Sequence, residues 1–195
     1  VRYVGEPVAF VVGDDRYVAE DALELIEVAY EPLAVAADAL EALKDGAPLV
    51  HPEIANNLAS RFTLGFGDAT EIFARADLVL RQQFKMHRGA GQAMEGRVVL
   101  AEYDRRANRI TMWSATQAPH LIGRLASEML GMEERQVRVI APHDVGGGFG
   151  PKAIFYPEEG LVPFAARALG HPVKWTEDRR EHFLATNQER DLYHD

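Results

Sequence analysis

The chain has no cysteine. Disulfides, cysteine-bound zinc and cysteine-held iron–sulfur clusters are therefore excluded within its 195 residues. It also lacks an excess of positive charge: 21 Lys and Arg stand against 30 Asp and Glu, a formal net charge of −9. Sequence-independent nucleic-acid binding runs on cations that neutralise phosphates, so no nucleic-acid partner is expected. No apolar run approaches the ~18 residues a membrane-spanning helix needs. No signal peptide is visible, and a cytoplasmic location is the expectation. The first residue is Val1 rather than Met, which suggests a piece of a longer protein. Tight metal-ligand spacing is missing too. The histidines (His51, His87, His120, His143, His171, His182 and His194) are scattered, with no HExxH pair. Each reads as a surface or capping histidine, and only His143 lies beside a candidate site. No Ser-His-Asp order with a nucleophile elbow occurs.

What is present is an ordinary globular balance, 47% hydrophobic and 26% charged. Residues 4–12, "VGEPVAFVV", read as a buried strand closed by a turn at Gly13-Asp14-Asp15. Apolar spacing predicts a helix over 19–26, then a strand in "EVAYEPL" and a weak helix over 38–43. From 48 to 67 no period is sustained, which suits a linker and a domain boundary. Asp68, with Glu71 three residues on, is a candidate capping box for a helix reaching Arg75. "LVLRQQFKM" (78–86) alternates as a strand, and "GRVVLAEYD" and "RITMWSAT" flank a hairpin loop, "RRAN". Pro119 opens a helix whose expected apolar face is Leu121, Ile122, Leu125, Met129 and Leu130, with Gly131 as its stop. "QVRVIAP" is a strand. A helix from Pro157 to Gly170, with Pro163 expected to kink it, the strand "VKWTED" and a last helix in "RREHFLATN" complete the pattern. The fold class is α+β.

Between strand and helix lies "HDVGGGFGPK", residues 143–152. A phosphate-binding Walker loop needs Gly before its Lys and a hydroxyl after it. Lys152 follows Pro151 and precedes Ala153, so that reading fails on both sides. Gly148, Gly150 and Ala153 do match the dinucleotide pattern G-x-G-x-x-A. Against it, residues 143–146 separate the strand from the loop core, and the helix begins only near Pro157. The third reading is a wall pressed against a bulky ligand. Adjacent glycines expose backbone N–H groups, and Phe149 supplies a rigid apolar face. A purely structural turn fits the composition as well.

The motifs "ATQAPH", "RVIAPHDVGGGFGPK" and "PVKWTEDRREHF", in that order, resemble the large subunit of the molybdenum hydroxylases, the family of xanthine dehydrogenase, aldehyde oxidase and aerobic carbon monoxide dehydrogenase. "VRYVGEPVAFVV…AEDALELIEVAYEPL…APLVHPE" resembles the hammerhead domain of that subunit, and "MEGRVVLAEYD" the opening of its molybdopterin-binding region. "VKWTEDRREHFLATNQERD" looks most like the carbon monoxide dehydrogenase-like branch.

The resemblance implies an α+β fold in two parts: the end of a hammerhead α/β domain over 1–58, and the first part of a molybdopterin-binding domain over 66–195. It implies an oxidoreductase that hydroxylates a carbon centre (aldehyde or heterocycle) or oxidises CO, with water as the oxygen source. The implied cofactor is molybdenum–molybdopterin, in bacterial members usually the cytosine dinucleotide form. FAD and iron–sulfur clusters would sit on partners, an iron–sulfur small subunit and an FAD-binding medium subunit. Gln117 matches the family glutamine whose amide reaches a molybdenum oxo group. Gly148, Phe149 and Gly150 match the loop that packs on metal and pterin. Gln117 and Phe149 would thus touch the metal's surroundings with no side-chain thiolate, and no catalytic residue is expected within this stretch. Ala153 stands where purine-oxidising members carry a glutamate, so a purine substrate is not expected. Met94-Glu95 also resemble a family motif, although a Glu95–Arg97 pair would explain them equally well. Glu177, Asp178, Arg179, Arg180 and Glu181 read as a solvated charged turn. The family's later cofactor-binding stretches and its base glutamate have no counterpart here, so the chain alone should be inactive. The rivals are a nucleotide-binding α/β domain on Gly148, Gly150 and Ala153, and a non-catalytic truncated remnant.

Overall fold

The computed structural model describes residues 1–187 and 190–194. Gln188, Glu189 and Asp195, the last being the end of the expected second domain, lie outside the described residues. In chain order the helices are α1 (Arg16–Leu23), α2 (Ala39–Ala42), α3 (Ala69–Arg75), α4 (Pro119–Leu130), α5 (Glu158–Leu169) and α6 (Arg179–Ala185). The strands are β1 (Phe84–Met86), β2 (Val98–Asp104), β3 (Arg109–Ser114), β4 (Val137–Ile140), β5 (Val173–Thr176) and β6 (Leu192–His194). The chain divides into two compact units, one of Val1–Glu27 with Gly89–Glu189, the other of Val28–Arg88 with Arg190–Asp195.

The first unit is built on a four-stranded sheet in the order β4-β3-β2-β5. β2 and β3 form the expected antiparallel hairpin, in register from Val99↔Ser114 to Asp104↔Arg109. Its turn is fastened by Asp104, whose carboxylate accepts the N–H groups of Arg106 at 2.8 Å and Ala107 at 3.1 Å. β4 then pairs parallel to β3, with α4 as the crossover, and β5 closes the other edge antiparallel to β2. Ile110, Met112, Ile122, Ala126, Val162 and Ala166 are fully buried where α4 and α5 pack on the strands. Burying side chains of the larger kind is worth about 1.5–3 kcal/mol each.

Pro119 and Gly131 bound α4 as expected. Pro119 occupies its first turn, and Gly131 ends it in the left-handed conformation, φ 62°. The buried stripe differs from the expected face. Ile122, Gly123, Ala126, Ser127 and Leu130 face inward, while Leu121 and Met129 are exposed. Small residues were undervalued: a Cβ on Gly123 would lie 3.4 Å from Val139 Cγ2, so helix and strand meet closely there. α5 runs through Pro163 to Leu169. α6 is opened by a capping box in which Asp178 accepts from Glu181 N at 2.7 Å and Glu181 returns a bond to Asp178 N at 3.1 Å.

Residues 4–12 and 27–33 form no strand. A strand exists only by pairing its N–H and C=O groups in a ladder, and among the described residues no ladder includes them, although the Leu184–Ala185 backbone lies against Gly5. Val4, Val8 and Val12 are exposed, although Phe10 packs against the core. α1 starts three residues earlier than the apolar spacing suggested, because the Asp15 carboxylate takes the Val18 N–H at 3.0 Å and fixes the start.

In the second unit the strand expected over 78–86 shrinks to β1, which pairs antiparallel with β6 from Phe84↔His194 to Met86↔Leu192. The expected linker carries no helix or strand, but it is not without order. Asn57 donates to the carbonyls of Ala42 at 2.9 Å and Pro48 at 2.8 Å, and accepts from Val50 N at 2.9 Å. The helix expected at Asp68 is α3, its cap accepting the Glu71 N–H at 2.9 Å.

Candidate functional site

The glycine loop leaves the end of β4 and returns through a short 3₁₀ turn, Pro151–Ala153. Three of its residues hold left-handed φ: Gly147 at 96°, Phe149 at 55° and Gly150 at 96°. Glycine adopts this freely, but for phenylalanine it is strained and must be held by neighbours. Phe149 nevertheless stays 69% exposed.

Gln117 follows β3, and its backbone N–H donates to Lys152 O at 2.8 Å. The Thr116 hydroxyl donates to the same carbonyl at 3.0 Å. Beyond this joint the Gln117 side chain lies flat on the loop. A Cβ built on Gly148 would come within 2.4 Å of Gln117 Cδ, so any larger residue there displaces the Gln117 side chain. The carboxamide oxygen of Gln117 accepts the Gly150 N–H at 3.0 Å. That bond settles which end of the amide is which: the oxygen faces the loop, and the NH₂ remains as an uncharged donor. Among the described residues nothing accepts from that NH₂, nor from the consecutive N–H groups of Gly148 and Phe149. The structure thus brings Gln117, Gly148, Phe149 and Gly150 together around unspent neutral donors and one aromatic face.

Both ends of the loop are tied to Glu95. Its Oε2 accepts the Gly146 N–H at 2.6 Å and the Lys152 ammonium at 2.9 Å. The expected pairing of Glu95 with Arg97 is therefore replaced. Lys152 is wholly buried, and burial pushes the Glu95 carboxyl upward. The Lys152 and Gly146 hydrogen bonds outweigh that and hold it below its ordinary value.

Arg97 instead enters a buried cluster. It binds Glu177 through Nε at 2.9 Å and Nη2 at 2.7 Å, and Glu158 at 3.0 Å, while stacking 3.7 Å from the Tyr156 ring centroid. Glu177 also lies 2.8 Å from His182 Nδ1. The reading of residues 177–181 as a solvated turn is thus corrected at Glu177, whose side chain is fully buried. His182 is no surface histidine either; it is wholly buried, while His143 is exposed. Burial would raise the Glu177 carboxyl, but the Arg97 and His182 contacts bring it below the usual carboxylate range. Glu159 goes the other way: burial keeps it above that range despite bonds from Ser114 and the Tyr156 N–H. The ties that set the cluster are not local, since Glu95 and Lys152 are 57 residues apart, and Arg97 and Glu177 are 80; only Glu177–His182 and Tyr156–Glu159 lie close in sequence.

The dinucleotide alternative does not survive the topology. A Rossmann unit needs the strands before and after its helix to lie parallel and near one another. Here β4 and β5 occupy opposite edges of the sheet. The first turn of α5 begins at Glu158, well past Gly150, so its N-terminus does not serve the glycines. Among the described residues no cluster of His, Cys, Asp or Glu could hold a metal ion by itself, and no helix is long and apolar enough to cross a membrane.

Residues 50–195 match the family described as molybdopterin cofactor-binding domain. The large subunit of nicotine 6-hydroxylase from Paenarthrobacter nicotinovorans is 43% identical over 95% of this chain, which spans 22% of that relative. The large chain of carbon monoxide dehydrogenase from Afipia carboxidovorans is 38% identical over the whole chain, here 25% of the relative. Among solved structures, quinoline 2-oxidoreductase from Pseudomonas putida 86 superposes with a TM-score of 0.85 at 39% identity, covering 95% of this chain and 23% of that one. The chain therefore spans about a quarter of the length of such relatives. The chain belongs to the molybdopterin cofactor-binding family of the molybdenum hydroxylase large subunits.

Proposed function

We propose that Gln117, Gly148, Phe149 and Gly150 form one wall of a molybdenum–molybdopterin site in the large subunit of an oxidoreductase. The observation that carries this is the Gln117 carboxamide, whose oxygen is committed to Gly150 N–H at 3.0 Å, leaving its NH₂ as an uncharged donor without an acceptor among the described residues. A neutral donor suits a redox centre, because it can hydrogen-bond the cofactor without adding charge. The glycines leave the loop backbone bare for a bulky group to approach. A Cβ at Gly148 would evict Gln117, and the position where Gly150 would carry one is open. The chain supplies no thiolate, and a pterin dithiolene would supply both sulfurs. When bound, the cofactor supplies two-electron redox chemistry at molybdenum. The chain's own residues bind it, orient it and shield one side.

The whole protein would hydroxylate a carbon centre or oxidise CO, with water as the oxygen source. Two relatives act by name on nicotine and quinoline, which favours a nitrogen heterocycle. Ala153 at the position of the purine-contacting glutamate speaks against a purine. By the same resemblance residues 1–58 close a hammerhead domain, and 66–195 open the cofactor domain. The pterin is the cytosine dinucleotide form. The electrons leave to an iron–sulfur small subunit and an FAD-binding medium subunit, in the cytoplasm.

Gln117→Ala in the full-length protein tests the assignment. Turnover of a heterocycle panel with a dye acceptor should fall about 10- to 100-fold at preserved fold, the usual loss when a group supporting a metal site is removed. Unchanged turnover would remove Gln117 from the site.

A further inference from the structure

Glu95 has no role in the wall described above, yet the loop depends on it at two places. Its Oε2 receives Gly146 N–H at one end of the loop and the Lys152 ammonium at the other. The Glu95 N–H donates back to Gly146 O at 3.4 Å. A Cβ at Gly146 would sit 2.7 Å from Glu95 Cβ, so the two backbones are in close contact. Between the tied ends lies Phe149, held in a left-handed conformation that a side-chain-bearing residue does not keep unaided. Lys152 is wholly buried, an expensive place for an ammonium. Apolar packing would stabilise such a site at least as well as an ion pair, so the pair is better explained by the geometry it fixes.

We propose that Glu95 and Lys152 are positioning residues: one carboxylate oxygen pins both ends of the loop, so that Phe149 and the free N–H groups keep the arrangement the molybdenum cofactor needs. This rests on the cofactor reading of the loop. Neither residue touches the cofactor in this scheme; both act through Gly146 to Lys152.

The test uses the full-length protein expressed with molybdate, as wild type, Glu95→Ala, Glu95→Gln and Lys152→Met. Amide hydrogen exchange reads the bonded N–H groups of Gly146, Gly150 and Ala153, with the β2–β3 hairpin as the check on folding. Molybdenum retained through gel filtration reads the cofactor. In Glu95→Ala, loop exchange should accelerate about tenfold with the hairpin unchanged, and retained molybdenum should fall by a similar factor, as for other groups that support a metal site indirectly. Glu95→Gln keeps an oxygen for Gly146 N–H and should recover part of both losses, a rescue that a general packing defect would not show. If Lys152→Met fails to fold, the two Glu95 variants still decide. Unchanged loop exchange in Glu95→Ala overturns the proposal. So does a loosened loop with undiminished molybdenum, which would separate the clamp from the cofactor. Wild type without molybdenum overturns the cofactor reading and the clamp's role with it, whereas loaded variants equal to loaded wild type overturn the clamp alone.

Discussion

Glu177 and Glu159 face the same buried cluster and are shifted in opposite directions. The carboxyl of Glu177 lies below its ordinary value in the folded state, so its stabilisation is present at neutral pH and is lost as pH falls through that lowered value. Glu159 lies above its ordinary value, so it favours the fold at low pH and gives that contribution up as pH rises through the raised value. Glu159→Gln should therefore gain stability relative to wild type on raising the pH above the ordinary carboxylate range, then level off, as followed by denaturant midpoints at a series of pH values. A constant difference at all pH values would mean Glu159 does not titrate as described. Glu177→Ala should cost about 3–5 kcal/mol, because it leaves the Arg97 guanidinium buried with Glu158 alone. At the loop, Gly148→Ala should displace the Gln117 carboxamide from Gly150 N–H and lower retained molybdenum at an unchanged denaturation midpoint. The meeting of Gln117 with the glycine loop is expected from the family resemblance of short motifs; the residues by themselves fit a solvent-facing glutamine and a structural turn as well. Glu95, Lys152 and Arg97 are not legible, because what defines each is a partner brought near by the sheet rather than by the sequence; His182 has its partner Glu177 five residues away, and what hides it is its burial.

Helix ends are partly readable from sequence: the Asp68 cap and the stops at Gly131 and Gly170 agree with expectation, whereas the caps Asp15 and Asp178 lie in stretches that read as turns. Asp38, Asp68 and Asp178 each accept backbone N–H groups at a helix start, and Gly131 and Gly170 each end one with left-handed φ. Caps act within one turn, so a local pattern contains the cause. Strand 4–12 and the full length of 78–86 were misread for the opposite reason: alternation shows that a segment suits a sheet but not that a partner lies alongside. The buried face of α4 departs from its apolar pattern because Gly123, Ala126 and Ser127 let the helix approach the sheet closely. Ile122→Ala should cost about 2–5 kcal/mol, since the side chain is fully buried, and Leu121→Ala about 0.5 kcal/mol or less. Equal losses would restore the face expected from sequence. Gly131→Ala should cost about 1 kcal/mol, almost all of it backbone strain, because nothing lies within 4 Å of the added Cβ.

At the scale of the molecule, the sheet exists to bring two chain segments to one place. β3 delivers Gln117 and β4 delivers the glycine loop from neighbouring positions in parallel register, Trp113 opposite Ile140. Residues that follow the ends of parallel neighbours emerge on the same side of a sheet, which is why a glutamine and a loop far apart in sequence share one surface. The chain spans about a quarter of such large subunits, so under the proposed function it supplies one wall of the site. The most direct test is molybdenum analysis by mass spectrometry of the full-length protein, purified after expression with ample molybdate. Stoichiometric molybdenum in wild type, reduced in Gln117→Ala and Gly148→Ala at equal yield and fold, is the expected result. Molybdenum near zero in wild type, or the same content in all three proteins, would contradict it.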